Sequence, residues 1–192
     1  MNPNDLDVLF LDGARLPMQD ALLEPFFRKH ASLRPAGAGR GYWATYFIED
    51  DELLVKDIEV ADARNLRTGR RSVINEIIPE AEDRVVRWHS GLLLMPHEKG
   101  FVLVEIRRGR LRGIRRMDAA QLQAFRNDQF EYFCLTDDYE ALRAEAQKAF
   151  ELREQEARRK DAGRGYRAFD EAAFNKEVLA AILVHSKEIL AD

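Results

Sequence analysis

The chain has 192 residues, 46% of them apolar, which is enough to bury a genuine core and, on size, to form one domain with an appendage. A formal net charge of −4 excludes a polyanion-binding surface spread over the whole molecule and leaves only local basic patches as candidates for nucleic acid. Cys134 is the single cysteine, so an intramolecular disulfide and any cysteine-built zinc site are excluded.

The opening "MNPNDLDVLFLDG" carries acidic residues and a brief apolar run, unlike the basic start and longer greasy segment of a secretory signal. No stretch approaches the roughly 20 apolar residues that span a bilayer. A cytoplasmic location without a membrane partner is therefore expected. "DVLFLDGARLPM" reads as two short strands about Asp12-Gly13, because Asp-Gly supplies the positive φ of a tight hairpin. "MQDALLEPFFRKH" predicts one or two helical turns interrupted at Pro25. "RPAGAGRG", residues 34–41, invites comparison with a phosphate cradle, but that motif needs a strand before the glycines and a helix after them, and an extended segment follows here.

From Tyr42 to Val60, alternation and aromatic or branched residues predict a hairpin turning near Asp50-Asp51. Pairing Ile48 with Leu53 puts Tyr46 and Val55 on one face and Trp43, Phe47, Leu54 and Ile58 on the other. The following segment is irregular, with a loop or short helix around Pro79. Extended structure resumes in "VRWHSGLLLMPHEKGFVLVEI", where Trp88, Gly91, Leu92 and Leu94 form one strand and "PHEKG" turns the chain.

"EIRRGRLRGIRR", residues 105–116, holds six arginines. Superposed on "FIEDDELL", it aligns Ile106 with Ile48, Gly109 with Asp51 and Leu111 with Leu53, so the same hairpin pattern occurs twice. Arg108-Gly109 becomes the turn, and the arginines mark an exposed hairpin end as Glu49, Asp50, Asp51 and Glu52 do in the other copy. Ile106 opposite Leu111 would set Glu105 against Arg112 and Arg107 against Arg110, with Arg116 further along that face. The two oppositely charged ends could meet between subunits.

"DAAQLQAFRNDQFEYF" reads as helical and then extended. Thr136 with Asp137, Asp138 and Glu140 makes a good helix start. Tyr139, Leu142, Ala146, Ala149, Phe150 and Ala157 then recur at helical spacing until Gly163 and Gly165 break the helix. A final amphipathic helix from about Asp170 carries Phe174, Val178, Ala181, Ile182, His185 and Ile189 on its inner stripe. The apolar stripes either cover the sheet or form a seam with a partner or a second copy.

The chain lacks a Walker-type Gly-Lys-Ser/Thr, a Gly-x-Ser-x-Gly elbow and a His-Glu-x-x-His motif. His30, His89, His97 and His185 are scattered, without metal-ligand spacing. "RWHSG" is the most enzyme-like stretch, but adjacent strand residues face opposite ways, so His89 and Ser90 form no local dyad. His97-Glu98 falls in a turn and reads as a solvated loop. Cys134, in "FEYFCL", reads as a buried, inert thiol. No catalytic residue, cofactor or metal site is assigned.

The order "LLEPFF", "RGYWATYFIEDDELLVKDIEV", "RWHSGLLLMPHEKG", "VLVEIRRGRL" resembles a widespread group of small bacterial proteins of unknown function. They share a GY-x-A-T-W/Y-x-I-x-x-D-x-L-x-L strand pair followed by a W-F/H-S-G-x-L-x-x-P strand. The resemblance covers roughly residues 7–112 and implies a bacterial source and a sheet-centred fold, but no activity. His89 stands where an aromatic residue is commoner, and the long helical extension is a further departure.

The expected fold is α+β: a mostly antiparallel, curved sheet of hairpins near residues 7–18, 42–60 and 86–117, then two amphipathic C-terminal helices. The expected organisation is a β-rich core at 1–135 and a helical hairpin at 136–192. The leading functional expectation is a non-enzymatic module binding another protein, in the manner of an immunity or accessory protein, with a homodimer open. The alternative is nucleic-acid binding through Arg107, Arg108, Arg110, Arg112 and Arg116, with Trp88 or Tyr42 stacking on bases.

Overall fold

Three tight reversals organise the β-rich part of the chain, and each rests on two successive residues with positive φ. The pairs are Asp12 (51°) and Gly13 (76°), Asp50 (49°) and Asp51 (59°), and Arg108 (50°) and Gly109 (78°), the left-handed backbone whose twist matches that of the strands it joins. The computed structural model describes residues 6–37, 39–65, 67–161 and 165–186. In it these turns link β1 (Asp7–Leu11) to β2 (Ala14–Met18), β3 (Trp43–Glu49) to β4 (Glu52–Ala61), and β7 (Gly100–Arg107) to β8 (Arg110–Met117).

A short strand, β5 (Arg70–Ser72), pairs with the far end of β4, and β6 (Gly91–His97) precedes β7. The strand order is β2-β1-β3-β4-β8-β7-β6, with β5 off this path. Every pairing is antiparallel except that of β1 with β3, where Val8 lies opposite Thr45. The fold is therefore α+β with a mostly antiparallel sheet, and the sheet is not closed: β2 and β6 flank a groove without pairing.

The expected registers hold next to the turns, where Ile48 meets Leu53 and Ile106 meets Leu111. Further along, a bulge breaks each ladder. In β3–β4, Tyr46 faces Val55 but Thr45 faces Asp57, which leaves Lys56 as the extra residue and turns Ile58 inward opposite Ala44. Ile58 is fully buried with Tyr46, not on the opposite face. In β7–β8, Ile106 faces Leu111 but Glu105 faces Gly113, so Arg112 is the extra residue and the expected Glu105–Arg112 pairing does not form.

Helices shield the sheet unit locally. Pro25 lies in the first turn of α1 (Glu24–Lys29), where its missing N–H has no intrahelical role, so it starts this helix and does not interrupt one. A single turn, α2 (Ile74–Ile77), covers β4 with Ile74 and Ile77. The core joins Leu9, Leu16, Phe27, Tyr46, Ile58, Leu93 and Val104, among others, into one buried cluster. A turn at Arg87 and Trp88 and two irregular residues precede β6, so Trp88, His89 and Ser90 are not strand residues.

The chain divides into two compact units, residues 6–119 and residues 120–186. The division falls ahead of the expected boundary at 135/136, because "DAAQLQAFRNDQFEYF" is helical to its end as α3 (Ala119–Phe133). The second unit continues with α4 (Asp137–Lys160), α5 (Glu171–Ala180) and α6 (Ile182–His185). Thr136 caps α4 by accepting a hydrogen bond from the Tyr139 N–H at 3.3 Å, and Asp170 caps α5 by accepting from the Ala173 N–H at 2.9 Å.

Phe133, Tyr139, Phe174, Val178 and Ile182 form the core of this unit, with Cys134, Leu142 and Ala146 packed against it. The last helix is broken at Ala181, which is exposed and so leaves the inner stripe. Ala149 is exposed too. Gly163 and Ile189 lie outside the described residues.

Candidate functional site

The arginine ribbon and the acidic hairpin end meet within one chain. Leu53 N–H donates to Gly109 O, Leu111 N–H donates to Asp51 O, both at 2.8 Å, and Arg110 approaches Glu52 at 3.4 Å. The two turns thus stitch β4 to β8, and their opposite charges face each other with no second subunit needed. Gly109 permits this approach: a Cβ there would lie 2.9 Å from the Val86 carbonyl carbon.

Arg116 pairs with Asp12 at 2.8 Å, while the exposed Arg108 backbone N–H donates to Ser90 Oγ at 2.9 Å. Arg107 and Arg112 are also exposed, Arg112 at the bulge. Trp88 is a scaffold residue: its indole N–H donates to Leu22 O at 2.7 Å and its ring packs on Phe26, centroids 5.2 Å apart. Tyr42, the other stacking candidate, is buried.

The histidines are dispersed. The His89 imidazole is half-buried, its Nε2 has no hydrogen-bond partner among the described residues, and burial holds its pKa below the ordinary value. His97 and Glu98 line the groove of about 440 Å³ between β2 and β6, where His97 Nδ1 accepts the Glu98 backbone N–H at 2.7 Å. His185 stacks on Phe133 at 4.9 Å. Cys134 is partly buried, and desolvation raises its thiol pKa. Among the described residues no cluster of three or more His, Cys, Asp or Glu could hold a metal ion, and no helix is long and apolar enough to cross a membrane.

A larger concavity than that groove lies beside the glycine-containing loop. It measures about 840 Å³ and is lined by this loop, Trp43, Val60, Ala61, Arg71, Val73, Glu76 and Ile77, a size typical of small-molecule sites. The glycines serve backbone packing: Gly41 has φ +77°, and a Cβ on it would sit 2.9 Å from Pro35 O. The loop runs into β3 and not into a helix, so it lacks the strand–loop–helix order of a phosphate cradle.

Behind the cleft runs a buried polar chain. Asp7 is fully buried; it accepts the Ala44 N–H at 2.9 Å and pairs with Arg40 at 2.9 Å. Burial outweighs both contacts and raises the Asp7 pKa to about 6. Arg40 also stacks over Tyr42, 5.6 Å from its centroid, and Tyr42 donates its hydroxyl to Glu24 at 3.1 Å. Glu24 receives a two-pronged contact from Arg34 at 2.8 and 2.9 Å, and those hydrogen bonds hold its carboxyl below the usual range. Burial pushes the Tyr42 and Tyr46 hydroxyls well up.

Sequence reading noticed the glycine loop but not Asp7, Arg40 or Arg71. An aspartate opening the apolar strand "DVLFL" was the one available signal of a buried carboxylate.

The second unit exposes several large apolar side chains, Leu152 and Tyr166 among them. Tyr132 is 70% exposed, Leu135 85% and Val184 80%. Tyr132 lies in the last turn of α3 next to Phe133, Leu135 follows in the turn to α4, and Val184 adjoins His185, which stacks on Phe133. Each is thus within two positions, along the chain, of a member of one ring pair. Compared with protein-family models, curated proteins and solved structures, the chain matches none of them.

Proposed function

We propose that the chain is a non-enzymatic protein-interaction module, of the immunity or accessory type, whose docking face is the part of the helical unit that carries Tyr132, Leu135 and Val184. The carrying observation is that three strongly exposed apolar side chains lie within two positions, along the chain, of the stacked Phe133 and His185. Isolated apolar residues on a surface are ordinary, whereas a group of them marks an interaction site. Burying such a side chain is worth about 1.5–3 kcal/mol, so three together supply the apolar centre that specific interfaces need. The arginine ribbon contributes less to this reading, since Arg110 and Arg116 are occupied by Glu52 and Asp12.

The test is capture from an extract of the cells that encode the chain, using wild type and a Leu135→Asp/Val184→Asp variant. One stoichiometric protein partner retained by wild type and lost by the variant supports the reading. A partner that is absent, or retained equally by both, overturns it, as does material released by nuclease.

A further inference from the structure

The cleft under residues 32–43 belongs wholly to the β-rich unit and is independent of the helical face. Its walls are mostly apolar: Pro35, Ala36, Trp43, Val60, Val73 and Ile77. Two arginines, Arg40 and Arg71, and one carboxylate, Glu76, complete this lining. A guanidinium carries five N–H donors, and the contact of each arginine with a carboxylate is made through Nη1: Arg40 to Asp7, and Arg71 to Glu76 at 2.6 Å.

The charges are placed unequally. Asp7, the partner of Arg40, is completely buried, whereas the Arg40 side chain is 28% exposed; Glu76 is 63% exposed and open to water. Among the lining residues two arginines thus stand against one carboxylate, Glu76, while Asp7 is not part of the lining. Trp43 adds a rigid aromatic wall, fixed from outside by Arg70 stacked 3.7 Å from its ring centroid. Apolar walls with a few convergent polar groups describe a small-molecule site, and two forked donors select a planar anion.

We propose that this cleft binds a small amphipathic organic acid, its carboxylate held by Arg71 and Arg40 and its apolar body lying against Trp43, Val60, Val73 and Ile77. The same chemistry is offered by an aliphatic chain and by an aromatic ring, and two probes separate them: decanoate and 3-phenylpropanoate.

Each probe is titrated into the full chain by isothermal calorimetry, with decanol and 3-phenylpropan-1-ol as neutral counterparts. The expected result is saturable one-to-one binding of at least one acid, weakened about tenfold by Arg71→Gln, while the neutral counterpart binds the two proteins alike. Ala61→Trp, which fills the cleft from the exposed end of β4, should abolish binding with the far-ultraviolet circular dichroism unchanged. The proposal is overturned if neither acid saturates, if Arg71→Gln weakens acid and alcohol equally, or if folded Ala61→Trp binds as wild type does.

Discussion

Asp7→Asn offers the sharpest test of how the β-rich unit is held together. Asp7 is fully buried, and its pKa rises from 3.8 to about 6 on folding. Desolvation is the leading cause, opposed by the Ala44 N–H and by Arg40. The folded state thus binds the proton more tightly than the unfolded chain. Well below pH 3.8 both states are protonated and Asp7 costs nothing; as pH rises towards 6 the unfolded chain ionises first, and stability falls.

At 1.36 kcal/mol per pH unit, the loss across the interval from 3.8 to about 6 is about 3 kcal/mol. An asparagine keeps the oxygen that accepts from Ala44 and removes the titration. It also differs from a protonated aspartic acid as a neighbour of Arg40, an offset that does not change with pH. The measurement is urea unfolding at pH 4, 5, 6 and 7, followed by tryptophan fluorescence. Both tryptophans, Trp43 and Trp88, lie in the β-rich unit, so the signal reports that unit alone. The unfolded chain is already partly ionised at pH 4, so the stability of wild type relative to Asp7→Asn should fall by about 2 kcal/mol from pH 4 to pH 7. Parallel pH profiles would refute the reasoning.

Three further outcomes follow from the same geometry. Gly109→Ala must accept φ near +78° and crowd the Val86 backbone; it should cost about 2 kcal/mol or more, seen as a lower urea midpoint. Trp88→Phe leaves Leu22 O without the indole donor now at 2.7 Å; the expected loss is about 1–3 kcal/mol by the same unfolding assay. Thr136→Ala removes the cap of α4 and should cost about 1 kcal/mol, read as a lower midpoint in far-ultraviolet circular dichroism.

The hairpins were legible because their turns announce themselves locally. Asp12-Gly13 and Arg108-Gly109 end in a glycine suited to left-handed backbone, and Asp50-Asp51 lies between two alternating apolar runs. Registers beside those turns followed directly, since two-residue loops fix them. The bulges at Lys56 and Arg112 were not legible. Each adds one residue to one strand of its ladder, and no local residue preference marks them, so Ile58 falls on the other face and Glu105 meets another partner than the pattern implies. β5 also escaped, because Arg70-Arg71-Ser72 has no apolar alternation and is extended only through pairing with β4.

Thr136 was readable as a cap from its hydroxyl and the acids that follow it. Pro25 was misread because a proline looks alike at the start and in the interior of a helix until the first turn is located. The large cleft assembles residues from three separate segments, around 32–43, 60–61 and 71–77, which tertiary packing alone brings together. Its arginines carry no spacing that distinguishes them from the far denser ribbon at 107–116.

The proposed role of the helical unit is tested most directly by photo-crosslinking in the native cells, with a benzophenone amino acid placed at position 135, 184 or 108. Positions 135 and 184 should each trap the same protein as a single adduct of defined mass, and position 108 should trap none. Adducts confined to position 108, or adducts from any position that dissolve under nuclease, would contradict a protein-docking face built on Tyr132, Leu135 and Val184.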